Sequence, residues 1–212
     1  MQHSPSFQQT QEPAERSWRS GMAWSQRELV TVAVIGVVFG VLYLAWVQLW
    51  LFVQGLTGPL AMDVMFGFWF LASIVAAYAI RKPGAAFLAE VIAAIAEVLT
   101  GNPSGAILLL TGVIQGAGAE VPFALTRWRN YRLPVLLASG ATAAVFSFIY
   151  NWFRFSYWEL APGLLLIMFV LRVLSGMALG GWLGKLLTDR LYQTGVLQGF
   201  AIDRAKRQAE PV

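Results

Sequence analysis

Apolar residues along this chain fall into long blocks separated by short polar or helix-breaking stretches, with little of the strict alternation that marks half-buried strands. From Leu29 to about Phe52 the sequence is nearly unbroken Val, Leu, Ile, Trp and Gly, enough to cross a bilayer with some tilt. A turn at Gly55–Pro59 leads to a second apolar block from about Asp63 to Ile80, stopped by Arg81, Lys82, Pro83 and Gly84, which are both charged and helix-breaking. An Ala-rich third segment, Gly84 to Leu99, is short for a span and ends at Gly101, Asn102, Pro103, Ser104 and Gly105. The fourth block runs from about Ala106 to Thr126 and stops at the Arg127–Arg132 cluster; the fifth runs from Leu133 to about Phe153. A loop from Arg154 to Pro162 precedes the sixth, Gly163 to about Leu187. The pattern predicts an all-α integral membrane protein with six transmembrane helices in one membrane domain, residues 29–202. Residues 1–28, rich in Gln, Ser, Pro and charge and lacking an apolar signal-like stretch, read as a disordered cytoplasmic tail. Thr188 to Phe200 reads as an interfacial turn or helix, and residues 203–212 as a second cytoplasmic tail.

Composition agrees. Of 212 residues, 58% are hydrophobic and 12% charged, about half the charge usual in a soluble domain, roughly 25%. No room remains for a large soluble domain. With no cysteine and a single histidine, His3 in the polar tail, thiolate and histidine metal sites have no basis, and no cofactor is expected. The net charge of +4 is explained by topology. With six spans, one side carries the tails and the Arg81–Lys82 and Arg127–Arg132 loops, whereas the other has only Arg154. Positive loops stay inside, so both termini are expected in the cytoplasm, and the basic residues imply no nucleic-acid partner.

Ionisable groups within apolar spans cost several kcal/mol unless they are paired or face the bundle interior. Glu90 and Glu97, seven residues apart, share one face of the third span with Ala86, Ala93 and Ala94. Glu120 continues the column Gly112, Gly116; Arg172 begins the column Gly176, Gly180, Gly184. Small residues every fourth position let membrane helices approach closely, so these columns mark helix-to-helix faces. Arg172 is expected to pair with Glu90 or Glu120 and to hold the bundle together. Glu97 lies about one turn from the outer end of its span beside the Asn102 loop, with no opposite charge at its depth. An acid there suits a cationic or hydrogen-bond-donating ligand.

Aromatic residues gather at the same outer level: Trp46, Trp50, Phe66, Trp69, Tyr150, Trp152 and Trp158. Most are expected to form the interfacial belt. Those facing inward beside Glu97 would make a box for a flat or cationic ring, and Trp69, Phe66 and Tyr150 are the candidates, with Asn102 and Asn151 as amide partners and Glu90 as a second acid. A nucleotide-binding phosphate loop is missing, because Gly184-Lys185 is followed by Leu186 inside a span end. ATP-driven transport would need partner subunits. No catalytic triad or H-E-x-x-H arrangement is present, so no enzyme activity is expected.

Particular strings carry a resemblance: Phe66–Trp69 leading to Ala76–Gly84, Ala89-Glu90, Glu97 with Gly101–Gly105, Gln115-Gly116 with Gly118–Glu120, Phe148–Tyr150 and Thr194–Leu197. Over roughly Leu29 to Ile202 the chain resembles the substrate-binding S-components of energy-coupling-factor (ECF) ABC transporters, in the YkoE-like thiamine/hydroxymethylpyrimidine branch. The resemblance implies a six-helix bacterial cell-membrane protein that binds the vitamin near its outer surface. A membrane T-subunit and two cytoplasmic ATPases would drive uptake, and small residues of the first helix, here Ala33, Gly36 and Gly40, would dock the T-subunit. Leu44 departs from a longer small-residue series.

Thiamine suits the residues. Its aminopyrimidine offers groups for Glu97 and Asn102, and its thiazolium is a permanent cation suited to aromatic faces and acidic surroundings. Hydroxymethylpyrimidine, the precursor, lacks that cation but would still satisfy Glu97 and Asn102. The other readings are an S-component for a different vitamin and a ligand-free structural or assembly subunit.

Overall fold

The structure, a computed structural model, describes residues 23–209; the expected N-terminal tail lies outside the described residues as far as residue 22. Its last residues are not tail. Ser25 and Glu28 open helix α1 (Gln26–Thr57) with a capping box, in which the Ser25 hydroxyl accepts the Glu28 amide at 3.2 Å and the Glu28 carboxylate accepts the Ser25 amide at 2.8 Å. Glu28 also pairs with Lys82 at 2.6 Å. Val32, Gly36, Phe39, Gly40, Tyr43 and Val47 form the buried stripe of α1, at helical spacing, while Val30, Val34, Val37, Val38 and Val41 stay exposed on the opposite side.

The second block is the centre of the bundle. It is built from α2 (Leu60–Met65), a 3₁₀ stretch (Phe66–Phe70) and α3 (Leu71–Ile80), and all of α3 is buried. An all-round apolar helix of this kind sits where neighbours cover every face. The tighter 3₁₀ winding coincides with Gly67, whose position leaves no room for a Cβ against the Ser175 carbonyl. Ser175 locks the contact: its hydroxyl accepts the Gly67 amide at 2.9 Å and donates to the Val64 carbonyl at 2.6 Å. Just beyond, the Ala72 amide donates to the Tyr43 hydroxyl at 2.8 Å, so a buried backbone donor is satisfied from another helix.

Helix α4 (Ala85–Leu99) lies between α1 and α5 (Ile107–Leu125). Glycines permit both approaches: Gly36 and Gly40 meet Ala89, Ile92, Ala93 and Ala96, while Gly112 and Gly116 meet Glu90, Ala94 and Phe87. This corrects the expectation that Gly36 and Gly40 offer a docking face to a partner, because α4 of the same chain covers them. Ala33 is half-buried. Helix α6 (Leu133–Arg154) follows, then α7 (Pro162–Ser175), a π-helical stretch (Gly176–Trp182) and α8 (Leu183–Gln193). At Gly140 and Gly176 two backbones touch.

Five of these stretches, Gln26–Thr57, Leu60–Ile80, Ile107–Leu125, Leu133–Arg154 and Pro162–Gln193, are long and apolar enough to cross a membrane. Helix α4, the expected third span, has 15 residues, about 22 Å of helix against a hydrocarbon core of about 30 Å. The polar tail expected from Asp203 is helical over α9 (Ala201–Ala209), with Ile202 and Asp203 buried. Arg27 of α1 ties this segment down, donating to the Gln198 carbonyl at 2.9 Å and lying over the Phe200 ring.

Candidate functional site

The last turn of α4 and the loop after it place an acid and an amide together. Asn102 Nδ2 donates to Glu97 Oε1 at 2.7 Å, and Asn102 Oδ1 accepts the Ser104 amide at 2.9 Å, which fixes the amide's orientation. The Asn102 amide also bonds the Glu97 carbonyl at 3.0 Å, so the Gly101–Gly105 turn folds back onto the helix end. Glu97 is 4% exposed, and its Oε2 accepts no hydrogen bond among the described residues. Two turns deeper on the same face, Glu90 is 2% exposed and accepts a single side-chain bond, from Ser73 Oγ at 2.7 Å.

Both acids line one cavity of about 110 Å³ between α1, α2, α4, α5 and α6. Its aromatic wall is Trp50, Phe66 and Trp69; Trp69 meets Trp50 edge-on at 6.2 Å and Phe66 edge-on at 5.6 Å. Polar groups in the lining are left unspent. Trp50 Nε1 and Asn151 Nδ2 are buried without a hydrogen-bond partner, and the Gln115 side chain, also buried, makes no hydrogen bond among the described residues. Unsatisfied buried donors are costly and rare in folded proteins, and two of them in one aromatic-walled cavity give it the polar groups that orient a bound molecule. At the rim, Arg154 reaches Thr111 Oγ1 at 3.4 Å and lies over Phe155 at 4.9 Å, without an ion pair among the described residues.

Of the residues expected to form the site, Glu97, Asn102, Trp69, Phe66, Asn151 and Glu90 therefore share one cavity. Tyr150 does not. It is not part of the lining; its hydroxyl is buried and without a hydrogen-bond partner among the described residues, and Arg154 lies 5.9 Å from its ring. Trp46 stacks on Phe68 at 4.0 Å, with its indole N–H on the Met65 carbonyl, and Trp158 is exposed as a belt residue would be. Trp50, Gln115 and Arg154 were not expected in the site. Trp50 and Arg154 carried the right residue type at the right level, but nothing in a linear pattern says which side of a helix end meets a neighbour's cavity.

The buried ion pairing differs from expectation. Arg172 pairs with Asp63, not with Glu90 or Glu120: both are 0% exposed, with Nε at 2.6 Å and Nη2 at 2.5 Å from Asp63 Oδ1, and Tyr157 accepts from Nη2 at 3.1 Å. The guanidinium also lies 4.2 Å from the Phe66 ring centroid, behind the cavity wall. Glu120 instead caps α4, accepting the amides of Gly84, Ala86 and Phe87 at 2.8 to 3.2 Å together with the Trp128 indole. A carboxylate at a helix N-terminus needs no cation. Neither Glu90 nor Glu97 has an ion-pair partner among the described residues.

Comparison with known proteins places this arrangement. Residues 27–146 match the family described as "ABC-type cobalt transport system, permease component". A curated relative from Bacillus subtilis (strain 168), the HMP/thiamine permease protein YkoE, is 47% identical over 182 residues, covering 86% of this chain and 92% of the relative. A solved structure titled "Crystal structure of an S-component of ECF transporter" superposes with a TM-score of 0.85 at 45% identity, covering 88% of this chain and 95% of that one. The chain belongs to the family of multi-pass membrane permease subunits that serve as S-components of ECF transporters.

Proposed function

We propose that this chain captures thiamine or its hydroxymethylpyrimidine precursor and delivers it with a membrane T-subunit and cytoplasmic ATPases. One observation carries the proposal: the bundle's buried arginine is spent on Asp63, so an aromatic-walled cavity keeps two buried carboxylates without a cation of their own. A ligand that is a flat ring, donates hydrogen bonds and bears positive charge compensates such a site. The Glu97–Asn102 pair suits the aminopyrimidine, which donates from its amino group and accepts at its ring nitrogens. Glu90 and the Trp50, Phe66 and Trp69 faces suit the thiazolium. The name of the Bacillus subtilis relative supports the same substrate class. The chemistry asked of the protein is binding and release, not bond-making.

In this reading α4 is a crossing too, third in chain order and the one that brings the number to six, completed by the turn that holds buried Asn102, and both termini lie in the cytoplasm. The support is the charge asymmetry: Arg81, Lys82, Arg127, Arg129 and Arg132 lie at one end and Arg154 at the other. The chain ahead of α1 and residues 203–212 flank the membrane domain on that cytoplasmic side. Cobalt, named in the family description, is the poorer cargo. Glu90 and Glu97 are two helical turns, about 10 Å, apart along their axis, too far to share an ion that bonds its ligands at about 2 Å.

Titrating purified protein with thiamine and with hydroxymethylpyrimidine, using quenching of tryptophan fluorescence and thermal stabilisation as readouts, tests the proposal. A binder must gain stability by mass action. Saturable binding of either compound is the expected result; no quenching and no stabilisation by either would leave the chain a structural subunit.

A further inference from the structure

At the end of the bundle opposite the cavity, Arg81, Arg129, Arg132 and Lys185 converge with Tyr78, Asn130 and Tyr131 on an open recess. Lys185 is paired with Asp189, and little there neutralises the three arginines. Asp189, the nearby acid, is already held by Lys185 at 2.6 Å, Lys206 at 2.8 Å and the Tyr78 hydroxyl at 3.2 Å. Glu120 is spent on the N-terminus of α4 and the Trp128 indole. Arg81, Arg129 and Arg132 make no ion pair among the described residues.

The recess is built rather than a loose gathering of surface charge. The Arg81 guanidinium is held between two rings, 5.1 Å from Tyr78 and 5.2 Å from Tyr131, with Nε donating to the Tyr78 carbonyl at 3.2 Å. Its remaining N–H groups make no hydrogen bond among the described residues. Tyr131 is 7% exposed, stacks on Phe123 at 5.2 Å, and its hydroxyl is buried without a hydrogen-bond partner among the described residues. The Asn130 side chain accepts the Arg132 amide at 3.0 Å and turns the loop. Three of the four non-glycine residues with left-handed backbone, Arg81, Arg127 and Trp128, lie in the two loops that shape this place. Strain of that kind persists only where surrounding contacts hold it.

A planar guanidinium with free donors, further cations and an unspent phenol match a phosphate oxygen cluster. Arg81, Arg129 and Arg132 sit in the loops at the span ends, at the depth of lipid headgroups, where basic recesses between helices bind anionic lipid. We propose that this recess is a phosphate-binding site whose occupant is the headgroup phosphate of an anionic phospholipid in the adjoining leaflet. A phosphate held there would bridge the α3–α4 and α5–α6 loops and accept from Arg81 and the Tyr131 hydroxyl.

Native mass spectrometry of the full chain in detergent, after incubation with phosphatidylglycerol, phosphatidylcholine or inorganic phosphate, tests this. Phosphatidylglycerol is expected to remain as a single adduct at least fivefold in excess of phosphatidylcholine, and the exposed-side-chain double variant Arg129→Gln/Arg132→Gln to lose that excess. Tyr131→Phe, which removes only the hydroxyl, is expected to reduce it in part. Thiamine binding at the far end serves as the folding control and should not move. Inorganic phosphate that raises thermal stability, without any lipid preference, assigns the same phosphate chemistry to a soluble source. Equal retention of the two lipids with no phosphate effect, or an adduct indifferent to the double variant, overturns the proposal.

Discussion

Arg172 and Asp63 meet through a single carboxylate oxygen, with Arg172 Nε and Nη2 at 2.6 and 2.5 Å from Asp63 Oδ1, in a place sealed from solvent. The pair joins the second and last spans, and it lies directly behind Phe66 of the cavity wall. Because it consumes the cation, the acids on α4 are left to whatever enters the cavity.

Removing one partner strands the other charge. Arg172→Met should therefore lower stability by about 3 to 5 kcal/mol, read as a fall in the thermal midpoint of the detergent-purified protein, whereas Asp63→Leu/Arg172→Met should regain a large part of the loss. A double variant no more stable than the single one would show that the pair is not the unit that matters.

Glu97 is the carboxylate held by Asn102 at the cavity, and Glu97→Gln keeps its size while removing charge. Thiamine affinity should fall at least tenfold, equivalent to about 1.4 kcal/mol, with the thermal midpoint of the ligand-free protein little changed. Unaltered affinity in a fluorescence titration would remove Glu97 from the site. Tyr150→Phe, outside the cavity wall, should bind as the parent does.

Gly36 and Gly40 pack against α4 with no space for a larger side chain. Gly36→Leu is expected to separate α1 from α4, lowering both the yield of folded protein and thiamine binding, because α4 carries Glu90 and Glu97. A docking role alone predicts the reverse: normal binding with uptake lost. Comparing binding by purified protein with uptake in cells separates the two.

Asp203 lies outside the membrane spans. Its hydrogen bond from Arg207, with others from the Gly199 amide and Tyr192, holds its carboxyl below the ordinary value of 3.8. A depressed carboxyl stabilises the fold above its unfolded value, and that contribution fades as pH drops through the folded one. The protection of amides across residues 195–209 against hydrogen exchange, relative to the intrinsic rate at each pH, should therefore fall as the pH is taken below about 4. In Asp203→Asn that protection should already be low at neutral pH and change little with pH; identical protection profiles would contradict the assignment.

The helical membrane class, the order of apolar blocks and the closeness of Glu97 to the Asn102 loop were legible in the linear chain, because each rests on local rules. A run of twenty apolar residues has few solutions in water, and an acid five residues before an asparagine at a helix end is within reach of it. The Glu90 and Glu97 face followed from helical periodicity in the same way. What tertiary structure alone decided was which residues from different helices meet. Asp63 reads in sequence as the start of a span, yet rotation and depth of two helices 109 positions apart put it on Arg172. Gly36 and Gly40 read as a face for some partner, and only packing shows that the partner is α4. Charge and hydrophobicity are properties of each residue and can be summed along a chain; pairing is a property of relative helix position, which depends on every contact at once.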